Sequence, residues 1–128
     1  MQAHILCAHP DGDFAHRLRK SLEQTAPLPA FEHFLQAEAL YLRAKALAAS
    51  GEEPAIVLSS IDLQADSGID LLTRIHNSPP LQQTRKILIA TPEEISAADP
   101  LLQIGALHGR LDPNFDNATP PPLLQRLL

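Results

Sequence analysis

The sequence predicts an α/β fold in which a parallel β-sheet is covered by helices on both faces. Three short runs, residues 4–8, 55–59 and 87–90, are almost wholly apolar. Strands of this kind are buried on both sides, which is typical of parallel sheets. Segments with helical periodicity lie between them, so the chain divides into five strand-then-helix units. Its 128 residues fit one domain.

The first unit is a strand over residues 4–8, which stops at His9-Pro10, and a helix over residues 14–24. The helix is indicated by an apolar stripe with a spacing of four residues, formed by Phe14, Leu18 and Leu22. The second unit begins with a strand over residues 31–35. Its helix ends at Ser50-Gly51, and the stripe predicted to face inward is Ala39, Leu40, Ala46 and Leu47.

The third unit joins the strand over residues 55–59 to a helix whose predicted inward residues are Ile69, Leu72 and Ile75. Residues 77–80 form a turn signal rich in proline. The fourth strand, residues 87–90, is flanked by the basic residues Arg85 and Lys86.

Pro100 interrupts the fourth helix, because proline removes a hydrogen-bond donor and clashes with the preceding turn. We expect a short turn over residues 93–97, after which Asp99 caps a new helix that begins at Pro100. An edge strand over residues 109–111 precedes a turn at Asp112-Pro113. Thr119 is expected to cap a last helix, with an apolar side formed by Leu123, Leu124, Leu127 and Leu128.

Composition argues against several function classes. The net charge of −5 and the aromatic content of 4% disfavour nucleic-acid binding, which needs clustered cations or stacking platforms. The sequence has no apolar run of about 18 residues that could span a membrane, so we expect no membrane partner. Cys7 is the only cysteine and is predicted to be a buried, inert thiol. These features predict a cytoplasmic protein.

The most informative segment is the run of residues 55–72, which reads as a buried strand, a loop and a helix that opens on Gly68. It resembles, without a gap, the third strand, loop and third helix of bacterial response-regulator receiver domains. The resemblance extends over essentially the whole chain. It implies a flavodoxin/CheY-like (βα)5 three-layer sandwich with a parallel five-stranded sheet of order 2-1-3-4-5. It also implies a role in two-component signal transduction, within a phosphorelay of a bacterial cell.

The resemblance assigns a phosphorylation site that this chain does not preserve. The family places two acidic residues after the first strand and a phosphorylatable aspartate at the end of the third, and together these hold Mg²⁺. A Ser or Thr that ends the fourth strand and a Lys-Pro pair after the fifth complete the site. The residues at these positions are His9 and Pro10, with Asp11 just beyond, then Ser60, then Ala90 or Thr91, and finally Asp112 and Pro113.

These substitutions predict a degenerate receiver, or pseudo-receiver, with no catalytic residue, no enzymatic activity and no cofactor. Mg²⁺ binding is expected to be weak or absent. Asp112 would repel a phosphoryl group that the family's lysine attracts. We therefore expect signalling by protein–protein contact, with a separate partner or with an output domain of a larger multidomain polypeptide from which residues 1–128 were cut. A homodimer could form through the face of the fourth helix, fifth strand and fifth helix, which contains Pro100, Leu101, Leu107, Leu111, Leu123 and Leu127.

Three alternatives remain at this point. Asp62 or Asp11 could accept the phosphoryl group in unusual geometry; choosing Asp62 extends the third strand past Ser60. His9 could act as a base for Ser60. Finally, Ala8-His9-Pro10-Asp11 is similar to the His-Pro-Asp-Asp cluster of zinc-dependent deacetylases, which would make His9, Asp11 and Asp13 candidate metal ligands, although Gly12 takes the place of the second aspartate.

Overall fold

The structure is a computed structural model that describes residues 3–24, 29–115 and Leu124. Its strands are β1 (His4–Ala8), β2 (Ala30–Phe34), β3 (Ile56–Ser60), β4 (Arg85–Ile89) and β5 (Gly109–Leu111). Its α-helices are α1 (Gly12–Leu22), α2 (Ala37–Ala49), α3 (Gly68–His76) and α4 (Asp99–Gln103), with 3₁₀ turns at Pro79–Leu81 and Ile95–Ala98. All paired strands are parallel and the sheet order is β2-β1-β3-β4-β5, which confirms the predicted fold class.

The three central strands are apolar because each of their faces supports a separate core. Successive side chains of a strand point to opposite faces of the sheet. Leu6, Val57 and Leu88 pack on the face covered by α2 and α3. The adjacent residues Ile5, Ile56 and Ile87 pack with the apolar side of α1 on the other face.

Helix α1 buries the predicted residues Phe14, Leu18 and Leu22. It begins two residues earlier than predicted, at Gly12, because the Asp11 carboxylate accepts a hydrogen bond from the Asp13 backbone N–H and caps the helix.

The predicted inward stripe of α2 was half wrong. Leu40 and Leu47 are buried, but Ala39 and Ala46 are exposed, and the buried stripe is Ala37, Leu40, Ala44 and Leu47. The helix is apolar on two opposite sides, so its periodicity fits either orientation. Strand β2 also ends one residue earlier than predicted, at Phe34, and leaves Leu35 exposed.

Helix α3 buries Leu72 and Ile75 as predicted. Ile69 is only half-buried, and Leu71 takes the inward place instead. Ser67 caps the helix by accepting a hydrogen bond from the Ile69 N–H, and Leu71 is fully buried.

Lys86 was predicted to flank the fourth strand but lies within β4 and is only 3% exposed. Its ammonium group donates a hydrogen bond to the Thr84 carbonyl at 3.1 Å, which compensates for burial. A 3₁₀ turn precedes the fourth helix, over Ile95–Ala98 and not over residues 93–97. The prediction that Asp99 caps a helix beginning at Pro100 is wrong, because the Asp99 backbone is itself helical and α4 begins at Asp99.

Only part of the predicted last helix can be compared. Thr119, Leu123, Leu127 and Leu128 lie outside the described residues, whereas Leu124 is helical and packs in the same core as α1. Within the described ranges, no helix is long and apolar enough to cross a membrane.

Candidate functional site

The parallel sheet brings the candidate residues to one edge, at the carboxyl ends of its strands. Ligand sites in folds of this kind lie at this edge, where the strand order reverses between β1 and β3. The residues that end or follow the strands here are His9, Pro10 and Asp11 after β1, Ser60 and Asp62 at β3, Ala90 and Thr91 after β4, and Asp112 and Pro113 after β5.

Ser60 is the last residue of β3 and is 9% exposed. Its hydroxyl donates a hydrogen bond to the backbone carbonyl of Asp62 at 2.7 Å. The hydroxyl therefore closes the loop after β3. Because β3 ends at Ser60, the extension of this strand to Asp62, which the alternative register required, is wrong. The Asp62 side chain is exposed, and its backbone forms an isolated bridge with Ser67.

The loop returns tightly onto the end of β3 at Gly68. A Cβ atom built on Gly68 would lie 1.7 Å from the Ser60 carbonyl oxygen and 2.5 Å from the Ser59 hydroxyl oxygen. The Gly68 N–H donates to the Ile61 carbonyl at 2.7 Å. The glycine is thus required by the approach of α3 to β3, whatever side chain stands at position 60.

The pairing of His9 with Ser60 is not formed. The His9 ring stacks on Phe14, with 4.2 Å between ring centroids, and its Nδ1 accepts a hydrogen bond from the Asp11 N–H at 3.0 Å. Burial lowers the pKa of His9 below 6.5, although the nearby Asp11 carboxylate raises it in part. The hydrogen bond of the His9 ring goes to Asp11 and that of the Ser60 hydroxyl goes to Asp62, so His9 is not oriented as a base for Ser60.

The three-ligand metal cluster of His9, Asp11 and Asp13 is also wrong. In the part of the chain that the structure describes, no three His, Cys, Asp or Glu residues are grouped so that they could hold a metal ion. The Asp11 carboxylate accepts the Asp13 N–H at 2.9 Å as the cap of α1.

The donors at the positions where the family carries its Mg²⁺ ligands do not fit this ion either. This ion prefers carboxylate oxygens in octahedral geometry. His9 and Pro10 supply no carboxylate at the end of β1, and Ser60 supplies none at the end of β3.

A cation that sequence reasoning missed lies between β4 and β5. The Arg110 guanidinium donates to the Ala90 carbonyl at 2.8 Å and lies 3.9 Å from the Asp112 carboxylate. Ala90 is buried and offers no hydroxyl, whereas the backbone N–H of Thr91 donates to the Glu94 carboxylate. No single-sequence signal marks Arg110, because its role depends on which residues neighbouring strands bring together.

Arg17 ties α1 to the segment after β5. Its guanidinium donates to the Pro113 carbonyl at 3.1 Å and lies over two rings, 5.5 Å from the centroid of Phe14 and 5.3 Å from that of Phe115. The two rings meet edge to face. On the side of the edge covered by α1, an aromatic and cationic cluster therefore connects α1 to the segment after β5.

Comparison with solved structures places this architecture among receiver domains. The chain is similar to the chemotaxis protein CheY4 of Vibrio cholerae, with 15% identity, complete coverage of both chains (100% each) and a TM-score of 0.77. It is similar to the signal receiver domain of an HD domain-containing protein from Pseudomonas fluorescens Pf-5, with 23% identity over 92% of this chain and 87% of that one and a TM-score of 0.71.

A third similar structure is the receiver domain of a signal transduction histidine kinase from Syntrophus aciditrophicus, with 17% identity over 98% of this chain and 89% of that one and a TM-score of 0.72. No family model and no curated protein sequence matches the chain. The structural neighbours are CheY-like response-regulator receiver domains, and the chain has their fold.

Proposed function

We propose that this chain is a degenerate receiver domain that takes part in signal transduction through protein–protein contacts and without phosphorylation. The main support for the proposal is the side chain of Ser60 and its hydrogen bond. The Ser60 side chain ends β3 with a hydroxyl group, which donates a hydrogen bond to the Asp62 carbonyl. A receiver needs a free carboxylate as the nucleophile at this position.

The charge at the edge supports the same proposal. Asp11, Asp62 and Asp112 all lie in the strand-end loops, and an incoming phosphoryl group would meet these carboxylates without a fitting metal site. Arg110 is the cation at β5, and its guanidinium already binds the Ala90 carbonyl. Under this proposal the domain is not an enzyme and needs no cofactor.

The partner is a protein. Two of the structural neighbours are receiver domains of an HD domain-containing protein and of a histidine kinase, and we propose by analogy an output domain in the same polypeptide or a separate protein partner for this chain. The face of α4, β5 and the predicted last helix is one candidate surface. In its described part Leu101 and Leu111 belong to the core, Leu107 is half-buried and Ile104 is 48% exposed.

The test is the intact mass of the chain after incubation with Mg²⁺ and acetyl phosphate. We expect no added phosphoryl group. A variant that restores the four family residues, with His9→Asp, Pro10→Asp, Ser60→Asp and Asp112→Lys, serves as the positive control on the same scaffold. A phosphoryl group on the unmodified chain would overturn the proposal.

In that event, peptide mapping with the Asp62→Asn and Asp11→Asn variants would identify the acceptor. Loss of the added mass in only one of the two variants would establish the alternative function, a receiver phosphorylated at a non-standard aspartate.

A further inference from the structure

The outward side of α2 carries a second apolar stripe that the core does not use. Ala39, Leu42, Ala46 and Ala49 are all exposed and follow one another at intervals of three, four and three residues. Because an α-helix turns by about 100° per residue, this stripe lies opposite the buried one. Such alternating intervals are the pattern of a helix–helix seam. Leu35 lies outside the helix, in the bend two residues before Ala37.

The exposure of this stripe is unusual for this chain. Leu35 is 45% and Leu42 is 57% exposed, and they are two of the three large apolar side chains exposed in the described part of the chain. The third, Ile104, lies elsewhere, after α4. A single exposed leucine needs no explanation, but one exposed leucine in the stripe and a second in the bend just before the helix indicate a covered surface.

We propose that a second copy of this chain covers the stripe, with the two α2 helices antiparallel. In the register that fits best, Leu42 of one copy packs against Ala39 of the second copy, and Leu35 against Ala46 of the second copy. Each large side chain then meets a small one, and the two-fold axis repeats both contacts. The inference deepens the proposed function, on which it rests, by naming the partner and the surface.

The charges beside the stripe favour this orientation. Glu38 and Lys45 are seven residues apart and flank the stripe on the same side. In an antiparallel pair the same flanks meet, so Glu38 of each copy lies opposite Lys45 of the other. Lys45 forms no ion pair with any described residue; its ammonium group lies 5.4 Å from the Tyr41 ring centroid. Glu38 binds Arg74 of its own chain at 2.9 Å in either orientation. A parallel pair would direct Glu38 toward Arg43, which already binds Glu32 at 3.2 Å, whereas the antiparallel pair directs it toward Lys45.

One helix from each copy gives an interface below the standard size, so we expect a dissociation constant on the order of micromolar or weaker. Sedimentation equilibrium of the 128-residue chain over a concentration series should therefore reveal a monomer–dimer equilibrium. Leu42→Glu should weaken dimerisation at least about tenfold, because it places two like charges in the seam. The matched control is Ile104→Glu, which changes another exposed apolar residue outside the seam (48% exposed, against 57% for Leu42) and should leave the equilibrium unchanged.

A wild-type chain that stays monomeric at every concentration would overturn the inference. So would a dimer that Leu42→Glu does not weaken, whatever the effect of Ile104→Glu. Because Leu42 is exposed, the thermal unfolding of Leu42→Glu at low concentration should match that of the wild type, which shows that the variant folds.

Charge exchange tests the orientation. Glu38→Lys and Lys45→Glu should each weaken the dimer by roughly tenfold, since each replaces two attractions with two repulsions, and the double exchange should restore it. Both Glu38→Lys and the double variant lose the Glu38–Arg74 ion pair within one chain, so that loss cannot account for a difference between them. A double variant as weak as the single ones would overturn the antiparallel register.

The outcomes for this inference and for the proposed function are distinguishable. A chain that is monomeric and takes up no phosphoryl group contradicts the α2 dimer alone. A chain that dimerises through α2 and is phosphorylated contradicts the proposed function and leaves the dimer intact.

Discussion

Replacement of Gly68 by alanine tests the approach of α3 to the end of β3. The new Cβ would lie 1.7 Å from the Ser60 carbonyl oxygen and 2.8 Å from its carbonyl carbon. Both atoms belong to the backbone of β3, which pairs with β1 on one side and β4 on the other. Rotation of a side chain cannot relieve the overlap, so the start of α3 or the end of β3 must move.

The size of the effect follows from the distances. Cβ atoms essentially never approach such atoms closer than 3.0 Å, so a shift of more than about 1 Å is needed in a close-packed region. A shift of that size lengthens the 2.7 Å hydrogen bond from the Gly68 N–H to the Ile61 carbonyl. Overpacking costs about 1–3 kcal/mol and a lost hydrogen bond about 1 kcal/mol. We expect Gly68→Ala to lower the free energy of unfolding by about 3 kcal/mol and Tm by roughly 10 °C.

The assay is urea denaturation followed by circular dichroism, with thermal unfolding in parallel. Gly12→Ala is the matched control, because a Cβ at Gly12 meets no atom within 4 Å and the residue begins α1. Alanine there should leave stability unchanged or raise it by up to about 1 kcal/mol. A Gly68→Ala variant within about 0.5 kcal/mol of the wild type would refute the tight approach of α3 to β3.

Two further changes probe the first turn of α3 and the end of β1. Ser67→Ala should lower the free energy of unfolding by about 1 kcal/mol, because the hydroxyl no longer accepts a hydrogen bond from the Ile69 N–H. Urea denaturation measures this loss, and Ser67→Asp should retain most of the capping. An equal loss of stability in both variants would contradict the capping role of Ser67. Burial holds the pKa of His9 below 6.5, so the unfolded chain takes up this proton at a higher pH than the folded chain. Stability should therefore fall as pH drops from about 6.5 through the lower folded pKa, and urea denaturation at matched pH values should show a smaller fall for His9→Phe. The pKa of His108 is lowered by burial as well, so some pH dependence should remain, but equal dependence in the two proteins would argue against the assignment to His9.

The sheet could be predicted from the sequence because its central strands are buried on both faces. Uninterrupted apolar runs at β1, β3 and β4 leave few alternatives to a parallel sheet between helical layers. Periodicity served well for α1, whose outward face is charged, with Arg19 and Lys20 in its last turn. It failed for α2, where apolar residues occur on both sides and the inward one is set by tertiary packing.

The arrangement of the candidate site was only partly predictable. The order of strand ends and loops fixes that Ser60 and Asp112 lie at the same edge of the sheet. The contact of Arg110 with the Ala90 carbonyl depends on the register of β4 against β5, in which Ile89 lies beside Leu111. The stacking of His9 on Phe14 depends on the turn that Asp11 caps. Neither contact can be predicted from the spacing of residues in the sequence or from its composition.

The polar groups at the edge of the sheet are hydrogen-bonded within the chain, which is relevant to the proposed signalling without phosphorylation. A phosphorylatable receiver must keep a carboxylate, a hydroxyl and a cation available for an incoming phosphoryl group, so that its binding favours one of two states. In this chain the Ser60 hydroxyl, the Arg110 guanidinium and the Arg17 guanidinium each donate to a backbone carbonyl of the chain itself. These contacts join the end of β3 to its following loop, β5 to the end of β4, and α1 to the segment after β5. Under the proposed function, the signal is then the presence or concentration of the partner, because mass action on the contact surface replaces phosphorylation as the variable that shifts the equilibrium.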